Sequence, residues 1–296
     1  MRPRISFVIC LLALFIVGCG TAPAASPEQA ASPSVLKGVS LSPRSTAEFG
    51  VFFAKAAEAG DALTWAGPGD QLADEKAAPH VVVQLARKQG LEPMIIVDEA
   101  DASDIITFVK KYGIKYVGIG NEINSGGPDV ERVNAIIAEV KAAVPDVTLF
   151  TTFQLEWMVG GGGLFGKSTA PHWDQLAASD ADMIVFTTYP GLLYKDPDDI
   201  PDDYYAQIRA HTTKPVGFSE IGWFRDGPAG WESSQDEQAR FIRRFSSLTK
   251  GLDAELFIWP FVYDPAAHEP FDSAGLLEST QEDSAAWQAW LSFKPG

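Results

Sequence analysis

Eight short β-rich runs alternate with amphipathic stretches from Leu36 to the C-terminus. This alternation predicts an α/β fold, a single-domain (β/α)8 or TIM barrel. The size agrees: 296 residues, 46% of them hydrophobic, suffice for one large core. An open doubly wound sheet is the alternative, but it usually has fewer strands, and no Gly-x-Gly-x-x-Gly turn follows the first strand. No repeat of fixed period and no second domain is visible.

The predicted strands are 36–41, 62–65, 93–97, 116–120, 147–152, 182–187, 215–219 and 255–260. Helical stretches are predicted at 46–59, 81–88, 103–112, 130–144, 173–178, 204–211, 236–248 and 284–293. In the first, Phe49, Phe52, Phe53, Ala56 and Ala57 share a face. Gly90 stops the second, and Gly113 is the expected C-cap of the third. The fourth has the clearest helical period, with Val133, Ile136, Ile137, Val140 and Val144. Trp287 and Trp290, three apart on the last, are expected to pack on the barrel wall.

Before the domain, Arg2 and Arg4 precede an apolar run from Ile5 to Val17. The run is too short to span a bilayer as a helix, which needs roughly 20 residues, and it reads as a leader over 1–18. Ile16-Val17-Gly18-Cys19 resembles the lipobox of bacterial lipoproteins, which implies acylation at Cys19. An ordinary signal peptide cleaved near Ala24 or Ala25 is the alternative; both imply export. Lipidation would anchor the protein to the cell membrane or outer membrane, facing away from the cytoplasm. Residues 19–35, rich in Ala, Pro and Ser, form the expected flexible spacer to a domain over 36–296. The two cysteines are Cys10, inside the leader, and Cys19, so the mature domain is expected to have no disulfide. A net charge of -16 disfavours nucleic acid as a partner.

Catalytic side chains of such barrels come from the C-terminal ends of strands. The fourth strand runs out in Gly118-Ile119-Gly120-Asn121-Glu122, the seventh in Gly217-Phe218-Ser219-Glu220-Ile221-Gly222-Trp223. Gly118 and Gly120 share the parity of Glu122; Val216 and Phe218 share that of Glu220. Both acids are therefore expected to face the mouth. Two carboxyl groups across a cleft are what glycosidic cleavage requires, one protonating the leaving oxygen, the other attacking the anomeric carbon or activating water. Aromatic rings stack on sugar faces, and Trp223 and Trp259 lie near strand ends as candidate platforms.

Asn-Glu after the fourth strand and Ser-Glu-Ile-Gly-Trp at the seventh resemble the signatures of glycoside hydrolase clan A, retaining (β/α)8 enzymes acting mainly on β-linked glycans. The resemblance implies Glu122 as general acid/base and Glu220 as nucleophile. It further implies that Asn121 binds the sugar 2-hydroxyl, Tyr189 hydrogen-bonds the nucleophile and Trp259 serves as sugar platform. Within the clan the pattern is most similar to the arabinogalactan endo-β-1,4-galactanase family. Many members carry an arginine after the second strand and a histidine after the third; Trp65-Ala66-Gly67 and Val97-Asp98-Glu99 stand there instead. Arg44, after the first strand, is the candidate to supply the missing cation.

Two motifs are read as decoys. Gly161 to Ser168 fits the phosphate-loop pattern, but Pro171 follows at once where a helix should start, so this stretch is expected to be a loop bordering the cleft. The acidic run from Asp196 to Asp203 is broken by Pro197 and Pro201, which favours a solvated loop over a calcium site. The expectation is a monomeric retaining β-glycanase, endo-acting, without cofactor or metal, whose partner is an oligo- or polysaccharide. A non-catalytic glycan-binding lipoprotein and a β-glycan transglycosylase are the rivals.

Overall fold

The computed structural model describes residues 35–43, 45–278 and 281–295. The leader, Cys19, all of the spacer except Val35, and Arg44 lie outside these residues. Eight parallel strands close into a barrel in chain order: β1 Leu36–Ser40, β2 Ala62–Gly67, β3 Glu92–Val97, β4 Tyr116–Ile119, β5 Thr148–Gln154, β6 Met183–Thr188, β7 Val216–Ile221 and β8 Ala254–Trp259. β8 pairs with β1 through Leu36 and Leu256, which completes the ring. The predicted TIM barrel is the observed fold, and each predicted strand is present.

Helices wrap the strands: α1 Phe49–Ala59, α2 Ala78–Lys88, α3 Ala102–Tyr112, α4 Val130–Ala143, α5 Leu155–Met158, α6 Asp174–Ala178, α7 Gln235–Leu248 and α8 Ala285–Ser292. Gly113 adopts the left-handed conformation that ends α3, as its position predicts. Ser234 and Ser284 cap α7 and α8 by accepting the backbone N–H of Glu237 and Trp287. Two predicted helices differ. The stretch 46–59 opens with a 3-10 turn, Thr46–Glu48, before α1 begins. The stretch 204–211 forms only a 3-10 helix, Ala206–Ala210, because Tyr204 and Tyr205 turn into the core ahead of it. No helix among the described residues is long and apolar enough to cross a membrane.

The sheet divides the core in two. Inside the barrel sit Leu36, Ala62, Met94, Ile96, Phe150, Met183, Val185, Leu256 and Ile258. Residues of opposite parity, such as Val39, Leu63, Ile95, Phe153, Ile184 and Phe257, pack outward with the helices. Lys37 closes the seam: its Nζ donates to the carbonyls of Trp290 and Phe293 at 2.6 and 3.0 Å, so the first strand caps the end of α8.

The interior has no spare volume at Gly118. A Cβ there would lie 2.6 Å from the Phe150 ring and 3.0 Å from Ile96. Gly118→Ala is expected to lower stability by about 1–3 kcal/mol through overpacking. Urea unfolding measures it; an unchanged midpoint would mean that the interior yields at this layer.

Candidate active site

The turn after β4 is built to aim one carboxylate. Gly120 and Glu122 both adopt positive φ, 79° and 45°. A side chain rarely accepts that conformation, and it persists where neighbours hold it. The holding residue is Thr152 on β5. Its hydroxyl accepts the backbone N–H of Glu122 at 2.6 Å and donates to Asn121 Oδ1 at 2.8 Å. Asn124 bonds both backbone groups of Gln154 at 2.8 Å, locking the next turn onto β5. The Glu122 carboxylate then receives Thr187 Oγ1 at 2.6 Å and Ser125 Oγ at 3.3 Å.

Glu220 reaches the mouth by a different device, and the parity argument needs correction here. Val216 and Phe218 point outward, with Phe218 packed on Tyr205, Phe245 and Phe257. Strict alternation would send Glu220 the same way. A bulge intervenes: Phe186 pairs with Phe218 but Thr187 pairs with Glu220, so Ser219 is an extra residue. The extra residue switches parity and turns Glu220 inward beside Thr187. The parity of Gly120 also fails, because its missing Cβ faces Ile123 and Val133 toward α4 instead of the mouth.

Tyr189, one residue past β6, donates its hydroxyl to Glu220 Oε2 at 2.5 Å. Burial pushes the Glu220 carboxyl up to about 7, the charge of Glu122 adds to the rise, and the tyrosine bond opposes it. Glu122 and Glu220 are thus near neighbours, joined through Thr187, which bonds the first and lies in register with the second. Gln154 pairs with Thr187 in the ladder and shares the inward parity of Phe150 and Thr152. At the end of β3, Asp98 is held above the usual carboxylate range, first by burial and then by Glu99.

The structure therefore brings Asn121, Glu122, Tyr189 and Glu220 together. It does not bring Trp259 and Trp223 with them. Trp259 is 0% exposed and outward-facing; its ring packs on Phe241 and Trp290, and Nε1 donates to the Ala274 carbonyl. Inward parity on β8 belongs to Leu256 and Ile258, so position 259 has to face the helices. Trp223 is 1% exposed, stacked 5.2 Å from Phe241, with Nε1 donating to Ser233 Oγ. Neither ring is available to a sugar. Half-exposed aromatic residues include Trp157 tilted against Phe165, Trp231 under Lys195, Phe271 edge-on to Tyr189, and Phe261, which lines a recess of about 520 Å³ with Ser42 and Pro43.

The decoys resolve as loops. Gly161 bridges Ser168 in a closed turn that holds only a 3-10 turn, Gly163–Phe165, and the next α-helix begins at Asp174, so no α-helix starts directly after the glycines as a phosphate loop requires. Asp196 and Asp198 pair with Arg240, and Asp202 with Arg244, which ties the acidic run to α7. Among the described residues, no cluster of His, Cys, Asp and Glu could hold a metal ion. Thr152, Thr187 and the Ser219 bulge escaped the sequence reading. Only the run of hydroxyls Thr187-Thr188-Tyr189 could have pointed to the second of them.

No family model and no curated protein matches the sequence. Solved structures match in fold. The exo-β-1,4-mannosidase of Opitutaceae bacterium strain TAV5 superposes with a TM-score of 0.61 over 86% of this chain at 13% identity, and the chain spans 58% of that protein's length. Xylanase 10B from Thermotoga maritima gives 0.58 at 12% identity, covering 87% of this chain and 94% of the xylanase. The family 17 β-1,3-glucanosyltransferase from Rhizomucor miehei gives 0.56 at 13% identity, covering 78% and 88%. At such identities the likeness establishes the shared barrel alone.

The raised Glu220 carboxyl has a consequence for stability. The folded state holds its proton up to about pH 7, whereas the ordinary value is 4.5. Folding is thus favoured most below the ordinary value, and the advantage is lost as pH rises toward 7. Glu220→Gln is expected to be more stable than the wild type above pH 7, by up to roughly 3 kcal/mol, and to match it near pH 4. Thermal melts from pH 4 to 8 compare the two; parallel curves would show that Glu220 is not destabilised by its site.

Proposed function

We propose that the chain is a retaining β-glycan hydrolase. The observation that carries this reading is the apposition of Glu122 and Glu220 across the barrel mouth, each gripped by a hydroxyl from the end of β6. Facing carboxyls share a proton, because the charge of one disfavours ionisation of the other. The attack requires Glu220 ionised, and the Tyr189 phenol favours that charge, opposing the burial that raises the carboxyl. Glu122 then protonates the glycosidic oxygen as Glu220 attacks the anomeric carbon. The leaving alcohol takes the proton, and the sugar becomes an ester of Glu220. Glu122, now a carboxylate, removes a proton from water as that water displaces Glu220 and restores both groups. No cofactor enters this sequence. Asn121, fixed by Thr152, presents its amide nitrogen for the sugar 2-hydroxyl.

The named activities of the structural neighbours, a β-1,4-mannosidase and a xylanase, support a β-linked substrate. The short motifs favour β-1,4-galactan and endo action. Transglycosylation uses the same two residues, with a sugar hydroxyl in place of water, and the glucanosyltransferase among the neighbours favours keeping it as a second reading. We further place the protein outside the cytoplasm as a lipid-anchored monomer, through Cys19.

Purified protein presented with β-galactan, β-glucan, β-mannan and β-xylan is expected to release reducing ends from one of them. Glu220→Gln should lower turnover by about 10³-fold or more while sparing the fold. Azide distinguishes the roles. Glu122→Ala should yield the β-glycosyl azide from the ester, and Glu220→Ala the α-azide by direct displacement. Wild-type turnover in both glutamate variants would remove the pair from the chemistry, and oligosaccharide binding without turnover would favour a glycan-binding protein. Separately, radiolabelled palmitate should enter the wild-type chain and not Cys19→Ala; equal labelling would refute the anchor.

A further inference from the structure

Three consecutive side chains at the end of β6 donate hydroxyls to three different glutamates. Thr187 donates to Glu122, Thr188 to Glu156 and Tyr189 to Glu220. The first and third acceptors stand in the mouth. Glu156 stands behind the sheet, in the first turn of α5 directly after β5, and it is 0% exposed. Its Oε1 accepts from Thr188 Oγ1 at 2.9 Å and from the Tyr204 hydroxyl at 3.0 Å, while Oε2 has no partner. Tyr205 shares the Thr188 hydroxyl at 3.2 Å. Tyr189, Tyr194, Tyr204 and Tyr205 are the titratable groups facing it, and no cation does among the described residues.

A carboxyl in such a place is expensive unless its hydrogen bonds accomplish something that an apolar side chain would not. Here it grips Thr188, the middle residue of the triplet. Thr187 and Tyr189 extend from the same three-residue stretch of backbone, one to each acid of the mouth. A shift of that stretch by a few tenths of an ångström would slacken both bonds at once, and the 2.5 Å Tyr189 contact has the least tolerance.

We propose that Glu156 is a positioning residue of the active site: by holding Thr188 from behind the sheet, it fixes the strand end whose Thr187 and Tyr189 set the placement of Glu122 and Glu220. Its neutral form suits the role, since burial pushes Glu156 up to about 7 and a protonated carboxyl keeps an acceptor for Thr188. The effect on turnover rests on the function proposed above; the effect on Glu220 itself does not.

The test therefore needs no substrate. Protein labelled with ¹³C at glutamate carboxyls is titrated by NMR, with the Glu220 resonance assigned by its loss in Glu220→Gln. Glu156→Leu removes the acceptor and should raise the Glu220 midpoint by about half a pH unit or more, because a slack Tyr189 bond no longer favours the carboxylate. Glu156→Gln keeps the oxygen and should leave the midpoint in place. Tyr204→Phe deletes one of the two bonds to Oε1 and should shift it upward by less; this milder variant decides the matter if the leucine variant does not fold. An unchanged Glu220 midpoint in a folded Glu156→Leu, or in Tyr204→Phe where only that variant folds, overturns the proposal. An upward shift with no hydrolysis of any glycan would uphold the positioning role and refute the enzymatic reading instead.

Discussion

Mutual repulsion between two neighbouring carboxyl groups at the barrel mouth is the constraint around which this barrel is arranged. Left alone, Glu122 and Glu220 would turn apart or into solvent. Hydroxyl donors prevent this, with Thr187 and Ser125 on one acid and Tyr189 on the other. The donors sit on β6 and on the β4 turn, so the sheet itself sets the spacing of the acids. Strain at Glu122 and the bulge at Ser219 are the backbone adjustments that make both side chains converge.

The same arrangement explains why the support behind the sheet is polar where a core would ordinarily be apolar. Glu156, Thr188, Tyr204 and Tyr205 form one buried hydrogen-bonded group against β6 and β5. The directional bonds converging on Glu156 Oε1 resist the small slippage that aliphatic contacts permit. On the far rim, Arg225 and Asp264 form a two-pronged ion pair at 2.6 and 3.1 Å that ties the loop after β7 to the loop after β8.

Much of this was legible in the sequence. Alternating runs located all eight strands, because a parallel strand buried on both faces has to be apolar over its length. Glu122 and Glu220 stood out because barrels present chemistry at strand ends, whereas Asn121 and Tyr189 entered only through the resemblance of the short motifs to clan A. What failed was direction. Counting in twos from the outward-facing Val216 puts Glu220 outside; it turns inward only through the inserted Ser219, which leaves no mark in composition. Trp259 read as a platform because a strand end suggests the mouth, yet its parity with Phe257 assigns it to the helices. Thr152 and Thr187 were invisible for another reason: a threonine in a strand is ordinary until the structure shows what its hydroxyl meets.

The clasp between Lys37 and the carbonyls of α8 joins residues 253 positions apart in the chain. Until the final helix has been synthesised, β1 lacks both its β8 neighbour and that lysine contact, so the ring stays open with unsatisfied edges. Closure of the ring thus joins both extremes of the domain in one step, since β1 needs β8 beside it and α8 behind it.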